Sequence, residues 1–134
     1  MPSIKNLLPY LTLVFYGICI CSCTYDNLEN HPCSGIPDAI SFSADIIPIL
    51  SANCSTLSCH SGPEPTGNLN LEDAVAFNSL SKPGSGYINT VTPKHSILYS
   101  QLFSTSLQMP PDVKLDPCST DLILKWLEQG AKNN

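Results

Sequence analysis

Arginine is missing from this chain: all six positive charges are lysines, set against 11 Asp and Glu, for a formal net charge of -5 over 134 residues. With no basic stripe to neutralise phosphates, nucleic-acid binding is excluded. Charge of either sign is scarce, at 13% of residues, about half the roughly 25% of an average domain. Long hydrophobic runs are lacking too. The apolar stretch Leu7 to Ile20 is 14 residues long and broken by Pro9, whereas a membrane-spanning helix needs about 20. Proline, by contrast, is abundant, with 12 in the chain, close to twice the usual ~5%. Loops therefore dominate, but with 43% hydrophobic residues the composition is not that of a disordered chain. The length suits one ordinary domain. Seven cysteines are the most prominent feature that is present.

Lys5 is the only charge before Asp26. One positive charge followed by roughly 7 to 15 apolar residues describes a secretory signal, so residues 1–22 are expected to be removed. The residues Ile20-Cys21-Ser22-Cys23 resemble a bacterial lipoprotein box, in which small residues precede the cysteine that is acylated and becomes the new N-terminus. Cys19 and Cys21 each follow an isoleucine, so Ser22 makes Cys23 the best lipidation residue. The resemblance implies a mature chain from Cys23 to Asn134 whose acyl chains hold it at a membrane surface. A plain signal peptide with a free mature protein is the alternative. Residues 23–40 read as a lipidated tether, polar from Thr24 to Pro32. Losing Lys5 takes the net charge from -5 to -6.

Beyond Cys23 stand Cys33, Cys54, Cys59 and Cys118. Export into an oxidising compartment disfavours reduced bystanders, and four cysteines allow three full pairings that spacing alone does not separate. The run Cys54-Ser55-Thr56-Leu57-Ser58-Cys59-His60 packs two thiols and an imidazole into seven residues. Covalent haem attachment needs this set: thiols add to the vinyl groups and the histidine is held beneath the iron. The usual spacing is CxxCH. Cysteines five apart on a regular helix would lie ~140° apart, so Ser55 to Ser58 must bulge out for both sulfurs to reach one porphyrin edge. The plainer reading is a local Cys54–Cys59 disulfide with His60 in an ordinary loop.

A c-type haem iron takes a sixth ligand or leaves that position open. Met109 is the only thioether remaining once Met1 has gone, and it stands in Gln108-Met109-Pro110-Pro111. The two prolines forbid helix and present the side chain from a stiff, extended loop. A methionine filling a packing gap is the commoner fate. His31, in the tether, and His95, after Pro93 and Lys94, are the other imidazoles available to the iron, both in polar company.

With these residues in view, the chain resembles a single-haem cytochrome c domain of bacterial envelope lipoproteins. The matching stretches are SFSADIIPIL, CSTLSCH, HSILYSQL, MPP and the terminal KWLEQGAKNN, in that order. The resemblance implies an all-α, cytochrome c-like domain over 41–134 with long loops and one covalent haem c. Cys54 and Cys59 would form thioethers, with His60 as proximal and Met109 as distal iron ligand. It also implies one-electron exchange with redox partner proteins, no turnover of substrate, and a lipid-anchored place in the bacterial cell envelope, periplasmic or at the outer membrane. A small haem peroxidase would need an open iron position, against which Met109 argues. A haem-free, disulfide-stapled lipoprotein acting as a binding module is the reading from another class.

Helix patterning supports an α fold. Asp116 as N-cap, Pro117 at the first position and Gly130 as stop bound a terminal helix. Its apolar stripe comprises Cys118, Leu122, Ile123, Trp126 and Leu127, with Lys125 and Glu128 facing away. A first helix is expected from about Ala44 to Ala52 behind Ser43, irregular at Pro48. Shorter ones are expected over Glu72 to Leu80 and His95 to Phe103. No strand pattern suffices for a sheet; Tyr87 to Val91 is at most a brief extended stretch. Crossing of the first and last helices is the hallmark of the resembled family. With Cys54 and Cys59 on haem, that crossing would let the remaining Cys33 and Cys118 meet in a disulfide.

Overall fold

The computed structural model describes Cys33, residues 35–111 and residues 113–134. The expected signal peptide, the lipidation residue Cys23, the polar stretch of the tether and His31 lie outside the described residues. Among the described residues the structure is helical, without strands, apart from one isolated bridge between Leu57 and Ser61. The all-α expectation holds at that level. No described helix is long and apolar enough to cross a membrane.

Helix α1, Ile47–Asn53, grows out of a π-helical turn, Phe42–Ile46. The widened turn has a local cause. Pro48 has no N–H for the carbonyl four residues back and its ring crowds that carbonyl, so the chain winds more loosely just ahead of it. The cap is Ser41, whose hydroxyl accepts from the Ala44 N–H at 3.2 Å, not Ser43. Ser43 is engaged elsewhere: its hydroxyl and its N–H both donate to the Asn134 carbonyl, at 2.8 and 2.9 Å. Phe42, Ile46, Ile49 and Leu50 face the core.

Helix α2 spans Ala76–Leu80, shorter at its start than the pattern implied. The Asn70 side chain takes the Glu72 N–H at 2.8 Å, while the Glu72 carboxylate accepts from Gly62 N–H and Asn70 Nδ2. An Asx turn thus leads into the segment, the Val75 and Ala76 N–H groups both close on the Glu72 carbonyl at 2.9 and 2.8 Å, and the regular helix starts only after Val75, at φ -125, ψ -10. The stretch expected as a helix from His95 to Phe103 is divided: a 3-10 turn at Pro93–His95, α3 at Ile97–Ser100, then another 3-10 turn at Gln101–Phe103. The break is at Ser96, fully buried, whose hydroxyl accepts from Asn89 N–H at 2.8 Å. The next two N–H groups, of Ile97 and Leu98, donate to the Gly86 and Tyr87 carbonyls. That is what the extended stretch near Tyr87 pairs with.

Helix α4, Pro117–Glu128, has the expected ends. Asp116 caps it by accepting from Ser119 N–H at 3.0 Å. At the other end, Gly130 adopts φ +93, and Gly130 N–H and Ala131 N–H donate to the Leu127 and Trp126 carbonyls, a Schellman motif. Ile123, Trp126 and Leu127 are buried, and the Trp126 ring lies 5.1 Å from that of Phe42, which in turn meets Phe77 edge-on at 5.3 Å. Lys125 does not simply face away, since its ammonium donates to the Pro37 carbonyl at 2.7 Å. Gln129 likewise binds the backbone at Asp38 and Ile40. Ile40 is 3% exposed. The packed region thus reaches back past residue 41, into the last part of the stretch read as tether, because that segment supplies backbone partners and a core side chain to α4. Cys33 and Cys118 are joined in a disulfide, their Cα atoms 5.0 Å apart.

Candidate functional site

The C-terminus of α1 delivers Cys54. The N–H groups of Cys54 and Ser55 both donate to the Leu50 carbonyl, at 2.8 Å each, and Cys54 leaves the helical region at φ -124, ψ -39. The helix therefore unwinds at the first cysteine. The four residues that follow loop outward: Leu57 is 83% exposed and Ser58 takes φ +71. Cys59 N–H then donates to Thr56 O and His60 N–H to Cys54 O, at 3.0 and 3.2 Å. These bonds draw the ends of the heptad together, so the insert bulges away, as the five-residue spacing requires. Both thiols are free.

His60 is gripped by the loop that follows. Its Nδ1 lies 3.1 Å from the Thr66 carbonyl and 3.2 Å from that of Leu69. A carbonyl only accepts, so Nδ1 carries the ring proton and Nε2 keeps its lone pair. Thr66 N–H donates to Cys59 O and Leu71 N–H to His60 O, both at 2.7 Å. Gly67 and Asn68 turn the chain between them through positive φ values of 67 and 55. The histidine is fixed at its backbone and at one ring nitrogen.

Met109 comes from a distant part of the chain. Its N–H donates to the Gln101 carbonyl at 3.0 Å, the peptide bond to Pro110 is cis, and the side chain is half-buried. Two adjoining clefts meet at these residues. One, of about 210 Å³, is lined by Cys54, Cys59, His60, Met109 and the two prolines among others. The second, of about 240 Å³, shares Cys54, His60, Thr66 and Met109 and continues between Leu69, Leu98 and Leu102. Together they lie in the range of roughly 300–1,000 Å³ usual for ligand pockets. Neither is lined by a charged side chain. Burial, and secondarily the neighbouring Cys59, push the Cys54 thiol up to about 11.

The structure thus brings Cys54, Cys59, His60 and Met109 to one cleft. His95 is exposed and lines neither part. Among the described residues no three His, Cys, Asp or Glu side chains converge as a cage for a bare metal ion. The donor set instead suits a flat macrocycle: two free thiols, an imidazole with an available nitrogen and a thioether in one uncharged cleft. The carbonyl grip on His60 is absent from the sequence reading; a turn at Gly67 is the one local signal that could have pointed to it. Comparison of the chain with family models, curated proteins and solved structures gives no match.

Proposed function

We propose that this protein is a membrane-anchored c-type cytochrome, holding one haem c through thioethers at Cys54 and Cys59, with His60 and Met109 as axial ligands. When bound, the haem supplies a one-electron ferric/ferrous couple. The observation that carries the reading is the convergence of these four side chains, from distant parts of the chain, on one uncharged cleft. His60 contributes Nε2, since its other nitrogen is committed to two carbonyls; such a grip orients a ligating imidazole and raises its basicity. Met109 would supply the second donor to the iron, and a His/Met pair would raise the potential and disfavour oxygen chemistry. Leu69, Leu98 and Leu102, which line the cleft, would keep water from the bound group. The contact of Phe42 with Trp126, where the first helical segment meets the last, supports a cytochrome c-like arrangement. An acidic surface would orient a basic redox partner, and lipid at Cys23 would keep the domain at the bacterial envelope.

The test is the colour of the mature domain produced in a host with haem-attachment machinery. A sharp Soret band is expected, with haem retained on a denaturing gel and acyl chains on Cys23 by mass spectrometry. Colour lost on denaturation would rule out thioethers. A colourless protein with Cys54 bonded to Cys59 would overturn the haem reading in favour of a haem-free, disulfide-stapled lipoprotein.

A further inference from the structure

A polar cavity of about 290 Å³ adjoins the apolar cleft, and the two share Gly67 and Tyr87 in their walls. Its other polar side chains are Asn68, Lys82 and Ser85. Lys82-Pro83-Gly84-Ser85 is the sequence of a type II turn: proline second, glycine third at φ +76, and the Ser85 N–H on the Lys82 carbonyl at 3.2 Å. The turn sets Lys82 and Ser85 at one mouth. Ser85 Oγ accepts from the Tyr87 N–H at 3.3 Å, which leaves its own proton to donate, and the Tyr87 hydroxyl makes only a long bond, 3.4 Å, to Gly67 O. The Lys82 ammonium has no hydrogen bond or ion pair among the described residues, unlike that of Lys125. Lys82 is the sole charged group lining this cavity and Tyr87 the sole other titratable one; the adjoining cleft adds Cys54 and His60.

A haem is an apolar disc with two carboxylates on the edge away from the groups that thiols attack. The uncharged cleft offers nothing to balance them, and a carboxylate withdrawn from water without a partner is costly. Resting on the haem reading, we propose that the Lys82–Ser85 turn is the carboxylate-binding edge of the site, with the Lys82 ammonium and the Ser85 hydroxyl as donors.

Retention of haem by the wild-type chain on a denaturing gel is measured first; its absence would overturn the haem reading and this site with it. In the haem-loaded protein, Lys82→Gln is then compared by redox titration from pH 5 to 8 with Lys82→Arg and with Lys94→Gln, which removes the same charge from another exposed lysine. Lys82→Gln is expected to move the one-electron equilibrium about threefold toward the oxidised form, or ~30 mV at 59 mV per tenfold. Its potential should also fall as pH rises, because a carboxylate without its cation binds a proton more readily, most of all when the iron is reduced. Lys82→Arg and Lys94→Gln should follow the wild type. A Lys82→Gln curve coincident with the wild type at every pH, or matched by Lys94→Gln, overturns the site while leaving the haem reading intact.

Discussion

Met109 decides the spin state of the proposed centre, because it is the one thioether presented to the cleft. Met109→Ala should convert a low-spin spectrum toward high-spin and admit cyanide or CO; an unchanged spectrum would mean that another side chain is the sixth ligand. Cys54 makes a different prediction, for the chain before haem attachment. Its thiol, raised from an ordinary 9.0 to about 11, favours the neutral form when folded. That stabilisation is complete below pH 9 and is lost as pH rises through 11, a span worth roughly 2 kcal/mol. Urea unfolding of the unattached chain and of Cys54→Ala should therefore differ by less at pH 11 than at pH 8, by about that amount. Parallel pH dependences would remove burial as the cause. The four proposed haem contacts were legible at this scale, since each is a chemical type at a telling position. The partners of His60 were not: they are carbonyls of Thr66 and Leu69, and a backbone carbonyl has no residue identity to read.

Among the elements, α4 was readable at both ends, because Asp116, Pro117 and Gly130 act within a few residues of where they stand. Asp116→Ala should cost about 1 kcal/mol, the usual value of an N-cap. The Ser119 hydroxyl, and then the Ser119 N–H, hold the Asp116 carboxyl below its ordinary 3.8. The cap's contribution is therefore present above that value and lost as pH falls through the lower folded one. Asp116→Asn, which caps without titrating, should flatten this acid dependence in thermal melts between pH 3 and 7. Elements whose ends answer to distant groups were read less well. The cap ahead of α1 is Ser41 and not Ser43, because the helical winding starts two residues earlier, at Phe42, where Asn134 binds the Phe42 N–H and the hydroxyls of both serines, and the helix expected over His95 to Phe103 breaks where Ser96 turns to Asn89. Local signals place a helix, and long-range hydrogen bonds trim it.

For the molecule as a whole, the Cys33–Cys118 disulfide closes a separation of 85 residues. On the loop-entropy model it stabilises the fold by ~4 kcal/mol, a large share of a typical ~5 to 15 kcal/mol. Cys33→Ser with Cys118→Ser should lower the denaturation free energy by that order, and reductant should have little further effect on the double variant; an unshifted midpoint would show that the α4 contacts alone hold the N-terminal segment. Those contacts, through Lys125, Gln129 and Asn134, are also why the domain begins earlier than its polarity suggests. Residue types and near-neighbour spacing by themselves determined the all-α class, both ends of α4 and the outward bulge of the Cys54–Cys59 insert, and they suggested the proposed donors, since each follows from chemistry within a few residues. Only the tertiary structure decided that Met109 lines the same apolar cleft as the cysteines, that carbonyls of a later turn set the His60 tautomer and that Lys82 stands beside the cleft, because these depend on where the chain returns in space.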